Sequence, residues 1–169
     1  MRDNPQFILF FVIVGLHILA SCISNSLSYS QLASLRLHLA TQDWEDGGEI
    51  YHRLFLIRKW KDHVPTAGPF DKSRLRSLEG DYLSLFILET VRAEVAHTLC
   101  LASCYLALLV YTRPYSICIP LFFTLINLPC IMIQRYNRPR LERVLKRRGT
   151  PLSIPQTQMV RRWRILPRR

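Results

Sequence analysis

Val95-Ala-His-Thr-Leu-Cys-Leu-Ala-Ser-Cys-Tyr-Leu-Ala-Leu-Leu-Val-Tyr111 and Ser116-Ile-Cys-Ile-Pro-Leu-Phe-Phe-Thr-Leu-Ile-Asn-Leu-Pro-Cys-Ile-Met-Ile133 are two apolar runs joined by Thr112-Arg-Pro-Tyr115. Each run approaches the roughly 20 residues a helix needs to cross a hydrocarbon core. The joint is turn chemistry, because Pro114 disfavours helix at Arg113. The stretch therefore reads as a helical hairpin in lipid, and the rest of the chain is placed by it.

Polar strings flank the hairpin on both sides: Glu89-Thr-Val-Arg-Ala-Glu-Val-Ala-His97 before it and Gln134-Arg-Tyr-Asn-Arg-Pro-Arg140 after it. Antiparallel helices turning at 112–115 would set His97 level with Cys130, Arg92 with Arg135, Glu89 with Arg138, and Glu94 with Ile133 and Gln134. Two carboxylates then face several guanidiniums where the apolar runs end. Ionisable groups at the edge of lipid are costly, so this stratum is the candidate site. Glu94 and His97 are neighbours at i, i+3, and Glu89 and Arg92 repeat that spacing. A carboxylate beside an imidazole can orient it as a proton acceptor.

Charge is as informative as hydropathy. The formal net charge of +11 arises from 23 Lys and Arg against 12 Asp and Glu. Residues 135–169 hold 12 of the basic residues and only Glu142 among the acidic ones, so the whole excess follows the last apolar run. Basic residues flank membrane spans on the cytoplasmic side, which predicts a cell-membrane protein with a cytoplasmic C-terminus. The same tail suits anionic lipid headgroups or the phosphates of a soluble donor, and no nucleic acid is expected as a partner beside so apolar a hairpin. The five cysteines all sit in apolar runs, which argues against a disulfide framework. Glu94-x-x-His97 is half of a di-iron pattern whose second half is missing, so no metal is expected.

Phe7 to Ile23 is a third apolar run, readable as a spanning helix or as the hydrophobic region of a signal peptide. With it retained, the fold class is an all-α membrane protein of about three transmembrane helices, near 7–24, 95–111 and 116–134. Residues 1–149 form a single membrane domain and 150–169 a basic disordered tail. Between the first and second spans, Ser24 to Ala40 continues the first helix or lies at the interface. Trp44-Glu-Asp-Gly-Gly48 breaks it, and Glu49 to Asp62 reads as an interfacial helix with Ile50, Leu54 and Ile57 on one face. Trp60, beside Lys59 and Lys61, suits the interfacial belt. Asp81 is the expected N-cap of a helix whose first turns stand in the headgroups or the cytoplasm. Pro120 and Pro129 are expected to kink the last span. A short basic helix after Arg140 should stop at Gly149.

Three strings together resemble the glycosyl-4,4'-diaponeurosporenoate acyltransferase family. They are Arg58-Lys-Trp-Lys61, Glu89-Thr-x-Arg92-x-Glu94-x-x-His97, and Asn127-x-Pro129 followed by Gln134-Arg-Tyr-Asn-Arg-Pro-Arg-Leu141 and Lys-Arg-Arg-Gly149. The resemblance covers about half the chain, from Arg58 to Gly149. It implies a membrane enzyme that esterifies a sugar hydroxyl of a carotenoid glycoside, or of a similar glycolipid, with a fatty acyl chain. The catalytic candidates are His97 as general base, Glu94 as its orienting carboxylate, and Glu89. Substrate-binding candidates are Arg92, Asn127, Gln134, Arg135, Tyr136, Asn137, Arg138, Arg140, Trp60 and Lys61. Among them Arg135, Arg138 and Arg140 would hold donor phosphates, and Asn127, Gln134 or Asn137 would donate to an oxyanion. No cofactor is expected. The acyl donor, with acyl-CoA the first candidate, enters as a co-substrate. Expected partners are the lipid substrates, anionic headgroups and other enzymes of the same pathway. A non-catalytic membrane assembly subunit, recruiting partner enzymes through its basic C-terminus, is the alternative.

Overall fold

The computed structural model describes residues 5–65, 70, 72, 75–110 and 116–165, and all the regular structure among them is helical. In order come α1 (Pro5–Ser26), α2 (Tyr29–His38), a 3-10 turn (Asp43–Gly48), α3 (Glu49–Phe55) and α4 (Ile57–Trp60). A second 3-10 turn (Lys61–His63), α5 (Gly80–Val110), α6 (Cys118–Arg147) and α7 (Thr157–Ile165) complete the order. The expected joint at 112–115 lies outside the described residues. Among the described residues two helices, α1 over Phe7–Ser26 and α6, are long and apolar enough to cross a membrane, which is consistent with an all-helical, membrane-associated protein. The third expected span lies within α5 and runs to residue 111, beyond the described part.

The chain divides into two compact units, 1–27 with 93–131 and 28–92 with 132–169. In the first, Leu9, Ile13 and Cys104 form the buried core, with Ala107, Ile119 and Phe123 packed on it. Phe7, Phe11, Leu109 and Leu125 stay 63–77 % exposed. Large apolar side chains on the outside of apolar helices suit lipid, not water.

In the second unit, Tyr82 to Arg92 of α5 is buried without interruption. Tyr82-Leu-Ser-Leu-Phe-Ile-Leu88 is apolar on every face, and a helix apolar all round belongs in a core. These turns, expected to stand among headgroups or in the cytoplasm, are wrapped by protein. Phe70, Leu141, Leu145 and Val160 close around Tyr82, Phe86 and their neighbours. Helix α5 starts two residues earlier than expected, at Gly80. Asp81 does not serve as its N-cap but accepts a hydrogen bond from the Ser153 hydroxyl (2.9 Å).

Three expectations fail for identifiable reasons. The basic helix after Arg140 is not separate, since α6 runs unbroken to Arg147 and Gly149 in the left-handed conformation (φ 65°) follows it, as expected of the stop. Of the tail, expected to be disordered, residues 157–165 form α7. There Met159, Val160 and Trp163 recur on one helical face and pack on the α5 core, the Trp163 and Tyr82 rings lying 4.7 Å apart. Net charge pointed to disorder and hid that apolar stripe. Likewise the expected face of Ile50, Leu54 and Ile57 breaks at Leu56, whose φ of 50° ends α3. Tyr51 and Ile57 are buried instead, and Leu54 is 67 % exposed.

Candidate functional site

The sequence-derived candidates distribute over both units. His97, Glu94 and Asn127 belong to the first, and Glu89, Arg92, Trp60, Lys61 and the string Gln134 to Arg140 belong to the second.

In the first unit His97 is half-buried, and its Nδ1 lies 2.8 Å from the Asn127 side-chain oxygen. Asn127 is itself buried, and its amide nitrogen donates to the Phe123 carbonyl (2.9 Å) and reaches His17 Nε2 (3.3 Å). His17 Nδ1 in turn lies 2.9 Å from the Ile13 carbonyl. A consistent set of protons follows from acceptors alone. The Ile13 carbonyl can only accept, so His17 carries its proton on Nδ1 and offers the Nε2 lone pair to the Asn127 amide. Both amide protons are thereby used, and the amide oxygen must face His97, which then carries its proton on Nδ1. His97 Nε2 is left as the nitrogen with the lone pair, the form a general base requires. Asn127, expected among the oxyanion donors, has no amide proton to spare for that task. His17 was not among the candidates, although an ionisable residue in the middle of the first apolar run was signal enough.

In the second unit the polar string on α6 is occupied by partners from distant segments. Glu45, fully buried, receives Arg135 Nε at 2.8 Å and a second, closer bond from the same guanidinium. It also receives the Tyr51 hydroxyl (2.8 Å) and the Gln42 N–H (2.9 Å). Burial alone would raise its pKa, but the hydrogen bonds from Arg135, Gln42 and Tyr51 and the charge of Arg135 outweigh it. The carboxyl is held below its ordinary 4.5. Burial, then the hydrogen bond and charge of Glu45, push Tyr51 up to about 12.

The turn that carries Glu45 fits against α6 only because Gly48 has no side chain. Its φ is 89°, and a Cβ there would lie 2.9 Å from the Arg135 carbonyl oxygen. That carbonyl lacks its usual helical donor, because Pro139 stands four residues on with no N–H.

Neighbouring residues of the string are similarly engaged. Arg138, 1 % exposed, donates to the Leu39 carbonyl. Arg140 pairs with Glu49 (2.6 Å) and lies 3.3 Å over the Tyr136 ring, while Arg58 donates to the Tyr136 hydroxyl (2.6 Å). Glu89 accepts from the Tyr29 hydroxyl (2.9 Å) and pairs with Arg92 (3.5 Å), as the i, i+3 spacing suggested. Gln134 is buried. Trp60 is half-buried on the cluster of Tyr51, Ile57, Met132 and Tyr136, and its indole N–H donates to the Phe55 carbonyl (2.8 Å). Of the expected set, Lys61, Asn137 and Arg140 meet around a cavity of ≈ 200 Å³. Arg135 and Arg138, expected to hold donor phosphates, serve here as braces between α6 and the segment 39–45. Glu45, Tyr29 and Glu49 were missed, because nothing local marks a carboxylate in a glycine-rich turn as the partner of an arginine 90 residues away. Among the described residues no group of His, Cys, Asp and Glu side chains could hold a metal ion.

Comparison with known proteins adds a second line. The chain is 36 % identical over 105 residues to the glycosyl-4,4'-diaponeurosporenoate acyltransferase of Staphylococcus haemolyticus, covering 59 % of this chain and 60 % of that protein. To the protein of the same name from Staphylococcus aureus it is 33 % identical over 118 residues, 63 % of this chain and 69 % of the relative. No solved structure matches. The sequence profile of that family matches residues 35–147, a span that takes in Glu45, Glu89, His97, Asn127 and the whole Gln134 to Arg140 string. The chain belongs to the glycosyl-4,4'-diaponeurosporenoate acyltransferase family.

Proposed function

We propose that this protein transfers a fatty acyl chain to a sugar hydroxyl of a carotenoid glycoside or a similar glycolipid, with His97 as the general base. The observation that supports the chemistry is the Asn127 contact: with the His97 proton assigned to Nδ1, Nε2 carries the lone pair a general base requires. In the step, Nε2 takes the proton of the sugar hydroxyl as its oxygen bonds the acyl carbonyl carbon. The donor's leaving group departs as the tetrahedral intermediate collapses. A thioester donor such as acyl-CoA would release its thiolate, which recovers the proton from His97. Cys104 Sγ stands 3.9 Å from His17 Nε2, beyond the reach of a nucleophile and its base. The sequence carries no recognisable activated-serine or activated-cysteine motif, and direct transfer needs no acyl-enzyme.

Location supports the same reading. Both substrates would be amphiphiles, and the exposed apolar side chains of α1 and of the first turns of α6 offer a lipid-facing surface. The basic excess after residue 134 favours a multi-pass protein of the cell membrane with its C-terminus in the cytoplasm. Anionic headgroups and other enzymes of the same pathway are the partners this arrangement suits.

The test is mass spectrometry of lipid extracts from cells with the gene intact, deleted, or replaced by His97→Ala at matched protein level. Loss of one glycolipid ester in both altered strains, with its unacylated precursor accumulating, is the expected result. An unchanged ester in His97→Ala removes His97 from the role of base. No changed glycolipid on deletion makes the assembly-subunit alternative the leading one.

A further inference from the structure

The chain has four lysines, Lys59, Lys61, Lys72 and Lys146. Two of them, Lys61 and Lys72, are half-buried and line the ≈ 200 Å³ cavity of the second unit, whereas Lys59 and Lys146 are exposed. Arg140 and Asn137 complete its polar side. Leu75, Phe86, Leu141 and Val144 form the other side. Arg140 is held in place by Glu49 and by the Tyr136 ring, so its guanidinium is oriented before any ligand arrives. Asp62 is the described carboxylate on Lys61, and its side chain is 57 % exposed, which leaves it free to swing aside into water.

We propose that this cavity binds a phosphate group that carries an apolar chain. Two ammonium groups, a guanidinium and an amide supply more donors than a carboxylate can accept, and they suit the several oxygens of a phosphate ester. The apolar wall beside them has no use for a bare ion, and it takes up the first methylenes of a chain. The volume lies below the ~300–1,000 Å³ of pockets that enclose a whole ligand, so the cavity holds the head and the start of the chain while the remainder leaves it. As the seat of an acyl donor the cavity rests on the acyltransferase reading above. As a site for an amphiphilic phosphate it stands on these residues alone.

The experiment is lysine footprinting of the full chain in a nonionic detergent, with an amine-reactive acetylating reagent and mass spectrometry of all four lysines. The probes are inorganic phosphate, butyl phosphate, hexyl phosphate and hexanoate. Lys61 and Lys72 should be protected together, with Lys59 and Lys146 unchanged, and the protecting concentration should fall roughly fourfold per added methylene. Hexanoate should protect much less than hexyl phosphate. Hexanoyl-CoA and dihexanoylphosphatidylglycerol then separate the two sources of the chemistry: protection by the first assigns a donor site, and by the second a headgroup site. Calorimetry on K61Q/K72Q should show hexyl phosphate binding weakened ~tenfold or more, with K59Q as the wild-type-like control. Equal protection by inorganic phosphate, equal protection by hexanoate, or protection of all four lysines alike would each overturn the proposal. So would wild-type affinity in K61Q/K72Q. None of these outcomes depends on activity, so a failure here is distinct from a failure of the assignment of His97.

Discussion

Glu45→Gln tests the brace that joins the 39–48 segment to α6. The wild-type carboxylate is 0 % exposed and is met by Arg135, Tyr51 and the Gln42 N–H. Glutamine nearly preserves the volume, so no cavity opens. It replaces one acceptor oxygen by a donor nitrogen facing other donors, and it leaves the Arg135 guanidinium, 16 % exposed, without its countercharge at this site. Removing one partner of a buried ion pair costs about 3–5 kcal/mol. Arg135 keeps a weak contact to the Ala40 carbonyl (3.5 Å), which places the expected loss at the lower end, near ~3 kcal/mol. At about 2–4 °C per kcal/mol for a chain of this size, the Tm in detergent should fall by about 6–12 °C. The pH dependence has a definite sign. The folded carboxyl titrates below the unfolded one, so its contribution is complete above about 4.5 and is lost as pH falls through the folded value. Thermal scans from pH 7 downward should show the gap between wild type and variant holding steady to about 4.5 and closing below it. A variant within about 2 °C of wild type at pH 7, or a gap that widens in acid, would refute the buried-pair argument.

Three further outcomes follow from the same geometry. Tyr51, raised to about 12, is held protonated by the fold, so stability should decline as pH rises from 10 toward 12, and Tyr51→Phe should remove that decline; alkaline thermal scans of the pair decide it. Gly48→Ala meets both a positive φ of 89° and a Cβ 2.9 Å from the Arg135 oxygen, and should lower stability by roughly 2 kcal/mol or more, whereas Leu56→Gly relieves a left-handed leucine and should cost nothing or stabilise by up to ~1 kcal/mol. Asn127→Leu removes the acceptor that holds the His97 proton on Nδ1, and should lower kcat ~100-fold or more with little change in KM for the lipid acceptor. Steady-state kinetics with a KM that rises while kcat holds would mean that Asn127 binds substrate rather than orienting His97.

Helicity, the apolar runs and the family were legible without coordinates, because each depends on residues near one another in the chain. A run of apolar residues reports its affinity for lipid locally, and the Gln134 to Leu141 string is specific enough to identify by itself. Local spacing also found the Glu89 and Arg92 pair and singled out His97, while Asn127, Lys61, Asn137 and Arg140 entered the candidates with the strings that carry the family resemblance. What the tertiary structure alone decided is which charges neutralise which. Arg135 and Arg138 look the same in sequence as Arg140, yet the first is braced on Glu45 and the second on the Leu39 carbonyl, whereas Arg140 borders a cavity. The orientation of His97 likewise rests on Asn127 and on His17, which lies 110 residues from Asn127 in the chain. Hydrogen bonds are short-ranged and directional, so their partners are chosen by the packing of backbone that brings them within 3 Å, and no periodicity in the sequence encodes that choice.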